Sequence, residues 1–174
     1  MQWFINLLKR MARSYRVIPD RIDPSKPYLT RWYLIGGEDH KFFSLVLHEF
    51  HCSDPTDEHD HPFSFLSLIL TGGYWEAMDG KVFWRKPLSL LFRSWKAKHK
   101  HRIILAPKPG RVFTLVALLP RVGRERFKAV DWGFYTKSGW VHHDQYFKDM
   151  QRAAALRDLT AQAEELDLYT FGTD

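Results

Sequence analysis

Residues Asp57 to Glu76 read DEHDHPFSFLSLILTGGYWE. His59 and His61 are two apart. Successive side chains of a strand alternate between its faces, so both imidazoles point the same way and can grip one metal ion, while Asp60 faces the opposite side. The run from Phe63 to Leu70 is rich enough in Phe, Leu and Ile to be a strand buried in a barrel wall. Gly72-Gly73 supplies a turn, and Tyr74-Trp75-Glu76 opens the next strand. An HxH pair alone is a weak signal in a chain with nine histidines, where two neighbouring surface histidines are the ordinary explanation. A later pair strengthens it. His99 and His101 repeat the spacing in a polar stretch that enters the apolar run Ile103-Ile104-Leu105, and a metal site needs ligands drawn from separate strands.

Outward from that stretch, strand signals dominate. Tyr28 to Ile35 and Lys41 to Phe50 are rich in aromatic and aliphatic residues and flank a Gly36-Gly37-Glu38-Asp39 turn. Asp79-Gly80 is a hairpin signal between Tyr74–Met78 and Lys81–Arg85. Lys86-Pro87 breaks the run before a strand over Leu88 to Trp95, and Lys108-Pro109-Gly110 turns the chain between Ile103–Leu105 and Val112–Leu119. Short strands with turns at such intervals indicate an all-β sandwich or barrel rather than βαβ units. Helical spacing appears at the two ends. Trp3, Phe4, Leu7, Leu8 and Met11 form an apolar stripe in 1–16 that packs on its own domain, on a twin subunit or on a membrane surface. Phe147, Met150, Ala154, Leu156, Leu159, Ala163 and Leu166 form a second stripe in 144–168, which covers the barrel or makes a dimer contact. Pro19, Asp23-Pro24 and Pro27 read as an extended linker. The expected organisation is a single domain over 1–174: a helix at 1–16, a barrel at 28–143 and a helix at 144–168.

The 174 residues suit one sizeable core, and 45% are hydrophobic and 16% aromatic. No run is long and apolar enough to span a membrane, and the start lacks the pattern of a signal peptide, so the expected location is the cytoplasm. Cys52 is the only cysteine, which excludes an internal disulfide and reads as a small buried hydrophobe. The net charge is +6, with basic density at Lys96 to Arg102 and Arg121 to Lys128. That density is either a solvated surface or a rim that attracts an anionic substrate. No motif for sequence-specific nucleic-acid binding is present.

The segments HDHPFSFLSLILTGGYWE, HRIIL, FTLVALLPR and DWGFYTKSGWVHHDQYF resemble the cupin superfamily, and within it a group of uncharacterised cupin-like proteins of bacteria and tailed phages. Cupins are jelly-roll barrels whose first motif is HxH, then a glutamate, then a glycine turn, with a third histidine from a second motif. His59, His61 and Gly72 match the first motif. His101 or His99 fits the second, and His101 is favoured because the third histidine of that group is followed directly by arginine, here Arg102. The resemblance implies an all-β cupin-type jelly roll with terminal helices and a metal held by His59, His61 and His101. One departure stands out: the usual glutamate falls near positions 65 and 66, where this chain has Phe65 and Leu66. The resemblance then implies either a three-histidine site, similar to the ferrous thiol dioxygenases among cupins, or a fourth ligand from Glu76, Glu49 or Glu58.

Around this set, His48 is a candidate to support the ligands, and Asp54 or Asp57 can orient a ligand histidine through its second nitrogen or simply cap a turn. Tyr74, Glu76, Trp95, His99, Trp132 and Trp140 are candidate pocket residues. Arg102 offers a fork to an anionic group, although strand parity turns it away from His101. Three neutral imidazoles leave open positions on a metal, and ligand type alone does not choose among Fe, Zn, Mn and Ni; the resemblance to ferrous cupins implies Fe(II) first. The expected function is a mononuclear metal enzyme, iron oxygenase-like, acting on a small molecule, an anionic one if the basic density forms a rim. The alternatives are a non-catalytic small-molecule or nucleotide binder and a sugar-phosphate isomerase or epimerase, which needs an acid/base pair not displayed here.

Overall fold

A computed structural model describes residues 1–37, 42–94, 99–107, 111–120 and 131–170, with 163–170 as backbone only. A first helix α1 (Gln2–Met11) precedes β1 (Ser14–Pro19), β2 (Pro27–Ile35), β3 (Ser44–Phe50), β4 (Glu58–His59), β5 (Phe65–Thr71), β6 (Tyr74–Met78), β7 (Lys81–Arg85), β8 (Leu90–Arg93), β9 (Arg102–Ile104), β10 (Val112–Leu118), β11 (Gly133–Thr136) and β12 (Gly139–His142). The long α2 (His143–Thr170) follows. The fold is mostly β between terminal helices. Parts of two expected turns (Glu38-Asp39 and Lys108-Pro109-Gly110) and most of the two basic segments, 96–98 and 121–130, lie outside the described residues.

The strands pair antiparallel into a six-stranded sheet, β1-β2-β3-β10-β5-β8, and two three-stranded sheets, β12-β11-β4 and β7-β6-β9. Among the described residues these sheets do not close into one hydrogen-bonded barrel, unlike the expected wall. The two small sheets meet at a single isolated bridge, where His59 N–H donates to the His101 carbonyl at 2.8 Å and His101 N–H to the His59 carbonyl at 2.9 Å. The bridge is short for a clear reason: Pro62 follows His61, and proline has no N–H to extend a ladder. At Gly72-Gly73 the chain crosses from the large sheet to a small one. Both glycines have positive φ, 80° and 87°, and a Cβ on Gly73 would sit 2.7 Å from the Arg85 carbonyl oxygen, so only glycine fits there.

The large sheet has two buried faces, each set by the period-2 alternation of its strands. On the outer face Leu47, Leu70 and Phe113 pack against Ile5 and Leu8 of α1. Lys9 snorkels over this patch, its Nζ 2.6 Å from Glu49 and 4.7 Å from the Phe113 ring centre. On the inner face lie two apolar clusters. One joins Leu29, Phe50, Ile69 and Val112 to Tyr74 and Ile103 of the small sheet. The other holds Tyr33, Val46, Phe65, Val116 and Leu118.

The helix expected over 1–16 stops at Met11 and its last residues become strand, while the expected linker survives as the turn between β1 and β2, with Pro19 and Pro27 ending and opening those strands. Ala12 is already extended (φ −65°, ψ 132°), and Arg13 N–H donates to the Tyr33 carbonyl at 2.9 Å. From Ser14 onward the chain pairs along β2 as far as Pro19. Backbone pairing on an open sheet edge outweighs the modest helical propensity of Ser-Tyr-Arg-Val-Ile.

Candidate metal centre

Three histidines converge where the small sheets meet. His59 closes β4, His61 follows it, and His101 immediately precedes β9. One ring nitrogen from each lies within 4.8 Å of the others, and His61 Nε2 is 2.8 Å from His101 Nε2. Nitrogens bound to one ion at about 2.0–2.1 Å stand roughly 3.0–3.4 Å apart when adjacent, so this spacing is close to what a single ion needs. His59 and His101 are buried, and His61 is half-buried. Burial pushes the His59 imidazole down to about 4 and His61 well below its usual range, the latter helped by the two neighbouring histidines. Neutral rings are the ligating form. His59 Nδ1 is buried with no hydrogen-bond partner, an unmet polar demand of the sort a bound ion or its supporting shell relieves.

Glu76 occupies the layer behind His101. It is fully buried on β6, and its Oε1 accepts a 2.6 Å hydrogen bond from His101 Nδ1. Arg93 Nη2 lies 2.5 Å and 2.6 Å from the two carboxylate oxygens, and Arg85 Nε donates at 2.6 Å. Burial works to raise this acid, but the bonds from His101 and Arg93 win and hold it at about 2. A carboxylate can only accept, so His101 carries its proton on Nδ1 and directs the Nε2 lone pair toward His61. Glu76 orients a histidine and pairs with two arginines, and its oxygens are occupied.

The other candidate carboxylates are also engaged. Glu49 points to the outer face, bound to Lys9 at 2.6 Å and Arg111 at 3.2 Å. Glu58 lies 3.7 Å from Lys100. Asp54 accepts from Ile103 N–H at 2.6 Å and from the Tyr28 hydroxyl, and stands 3.9 Å from His59 Nδ1, beyond hydrogen-bond reach. Asp57 accepts from Tyr146 at 2.9 Å and ties its loop to α2 instead of supporting a histidine.

The imidazoles open on a cavity of about 250 Å³ whose lining includes His48, Asp54, Tyr74 and Trp132. Burial and Glu76 both raise the Tyr74 phenol, so it stays protonated. His99 stands apart, its Nδ1 accepting from Ser94 N–H at 3.1 Å. Arg102 is not among the lining residues, as its parity on β9 implied. Trp140 turns away too, donating to Asp60 at 3.3 Å. Asp60 also accepts from Gly133 N–H at 2.8 Å and the Tyr135 hydroxyl at 3.1 Å, so the residue between the histidines anchors their strand to β11 and β12. Trp95 lies outside the described residues. His142 and His143 do not line the cavity; with Asp144 they form a second cluster of ligand-type atoms, nearer the surface.

Sequence reasoning missed Arg31, which lines the same cavity from β2. Its signal was a cation at inward parity between Leu29 and Tyr33, legible only once the inner face of TRWYLI is known.

No protein-family model and no curated protein matches the chain. Among solved structures it resembles a cupin-2 domain from Rhodospirillum rubrum, at 16% identity and TM-score 0.50 over 72% of this chain and 77% of that one. A DMSP lyase from Ruegeria pomeroyi matches at 18% identity and TM-score 0.49 over 65% and 58% of the two chains. A cupin superfamily protein from Desulfitobacterium hafniense matches at 20% identity and TM-score 0.40 over 53% and 78%. At these identities the likeness concerns architecture alone: the mostly-β fold is similar to that of the cupin-2 domain from Rhodospirillum rubrum.

Proposed function

We propose that this protein is a metal-dependent cupin enzyme in which His59, His61 and His101 hold one divalent cation, Fe(II) by preference, and which acts on a small anionic molecule. The observation that carries this reading is the convergence of three buried or half-buried imidazoles on the wall of a cavity of about 250 Å³, two of their nitrogens 2.8 Å apart. A cation on three neutral nitrogens keeps open positions and supplies Lewis-acid or oxygen-activating chemistry there. The chain's own residues do the rest. Glu76 fixes the His101 tautomer, and Tyr74 keeps its proton beside the site. Metal analysis of protein purified without a histidine tag tests the assignment. About one ion per chain, lost in His61→Ala while the fold is kept, is expected; equal metal content in that variant rejects the ligand set.

A second reading, a non-catalytic binder of a small molecule, draws on the largely apolar cavity and on the commitment of its carboxylate, Asp54, to Tyr28 and Ile103. The same commitment argues against an isomerase or epimerase, which needs a free acid/base pair. Oxygen consumption by the iron-loaded protein with candidate substrates separates enzyme from binder.

A further inference from the structure

The two apolar clusters of the inner face are separate because a polar row runs between them. In the large sheet Arg31 on β2 is paired in register with His48 on β3, and His48 with Thr114 on β10. All three line the cavity that holds the three-histidine cluster. Above the row lie Tyr33, Val46 and Val116, and below it Leu29, Phe50 and Val112. A polar belt across three adjacent strands is costly inside a core unless something answers it.

Two of its members are not answered by the protein. Thr114 is 1% exposed, and its Oγ1 is buried with no hydrogen-bond partner. Arg31 Nε is likewise buried and unpaired, and among the described residues no carboxylate forms an ion pair with the Arg31 guanidinium. The contrast with β7 and β8 is direct. Arg85 and Arg93 also reach inward, and both are ion-paired with Glu76. An arginine turned inward without a carboxylate, beside an orphaned hydroxyl, has the donor set that an external oxyanion satisfies, and its planar fork matches a carboxylate.

We propose that Arg31 and Thr114 form the carboxylate-binding end of the cavity, selecting a small organic acid whose apolar body lies against the aromatic and aliphatic walls and whose far end reaches the histidine cluster. This names the substrate class for the reading above and rests on it for the bound ion, but not for recognition of the acid. It moves the role of anion fork from Arg102 to Arg31.

Calorimetric titration with benzoate, against the neutral isostere benzamide, tests it on the full-length protein. Wild type is expected to bind benzoate at least tenfold more tightly than benzamide. Thr114→Val, which keeps shape but loses the hydroxyl, should weaken benzoate several-fold, and Arg31→Met at least tenfold, with benzamide little changed in both. If Arg31→Met does not fold, Arg31→Lys decides, since it keeps the charge and loses the fork; a clear loss is expected there as well. Equal affinity of wild type for the two probes, or unchanged benzoate binding in Thr114→Val and Arg31→Lys, overturns the subsite. Metal content measured on the same samples keeps the two readings apart. Metal retained with binding indifferent to Arg31 defeats the subsite alone. A wild type without metal whose benzoate binding still depends on Arg31 defeats the metal centre alone.

Discussion

Glu76 grips His101 at Nδ1, 2.6 Å from its Oε1, and thereby decides which nitrogen His101 offers to the cavity. The same carboxylate pairs with Arg85 and Arg93, so one buried acid couples the stability of the small sheet to the geometry of the histidine cluster. Glu76→Gln keeps the shape and loses the charge. Metal affinity should fall about 10–100-fold through the weakened grip on His101. Leaving the buried Arg93 uncompensated should also destabilise the fold, by roughly 3–5 kcal/mol. Metal titration and a urea melt on one preparation read both effects; a variant that binds metal and melts like wild type would show that the contact positions nothing.

Acid should unfold the metal-free protein in two stages. His59 is held down to about 4 by burial, whereas an unfolded histidine titrates near its ordinary 6.5. Between those values the unfolded chain takes up the proton first, so stability falls as pH drops from about 6.5 toward 4. Glu76 is depressed to about 2 from 4.5, and its contribution is present above 4.5 and lost as pH falls through 2. Melting temperature recorded from pH 7 to pH 3 should decline across both windows. In Glu76→Gln the lower window should flatten while the upper one persists.

The histidine spacing was legible because it is a local pattern, although the strand assumed for it ends at His59 and His61 lies just beyond β4. The hairpin at Asp79-Gly80 and the strand around Val112 were legible because turn chemistry and strand composition are local as well. What lay beyond the sequence was long-range. Glu76 reads as a spare ligand until Arg85, Arg93 and His101 are seen around it. Arg31 reads as a surface cation until the inner face of β2 is known. β1 was hidden because its six residues, bounded by Pro19, gain their strand identity from pairing with β2 and from little in their own composition.

Asp60 predicts a different failure. Its carboxylate accepts from Gly133 N–H, the Tyr135 hydroxyl and Trp140 Nε1, so Asp60→Ala removes three bonds and orphans a backbone donor. A cost of about 3 kcal/mol is expected, since hydrogen bonds to charged groups are each worth roughly 1.5–3 kcal/mol and relaxation recovers part of the sum. Hydrogen exchange should show faster amide exchange in 133–142 with little change in β2 and β3. Uniform acceleration across the large sheet would mean that the anchor is global rather than local.

Metal should stabilise the folded protein in a way that identifies where it binds. A cation present at 100 times its dissociation constant, and bound only by the folded state, adds about 2.7 kcal/mol, which for a chain of this size raises the melting temperature by roughly 5–10 °C. A chelator should reverse the rise. His142, His143 and Asp144 offer a second set of ligand atoms near the surface, Asp144 being 69% exposed. Binding there would be untouched by a substitution in the cavity. The shift should therefore vanish in His61→Ala and persist in His143→Ala. The reverse pattern would place the ion at the start of α2 and leave the buried imidazoles as a packing feature of the sheet junction.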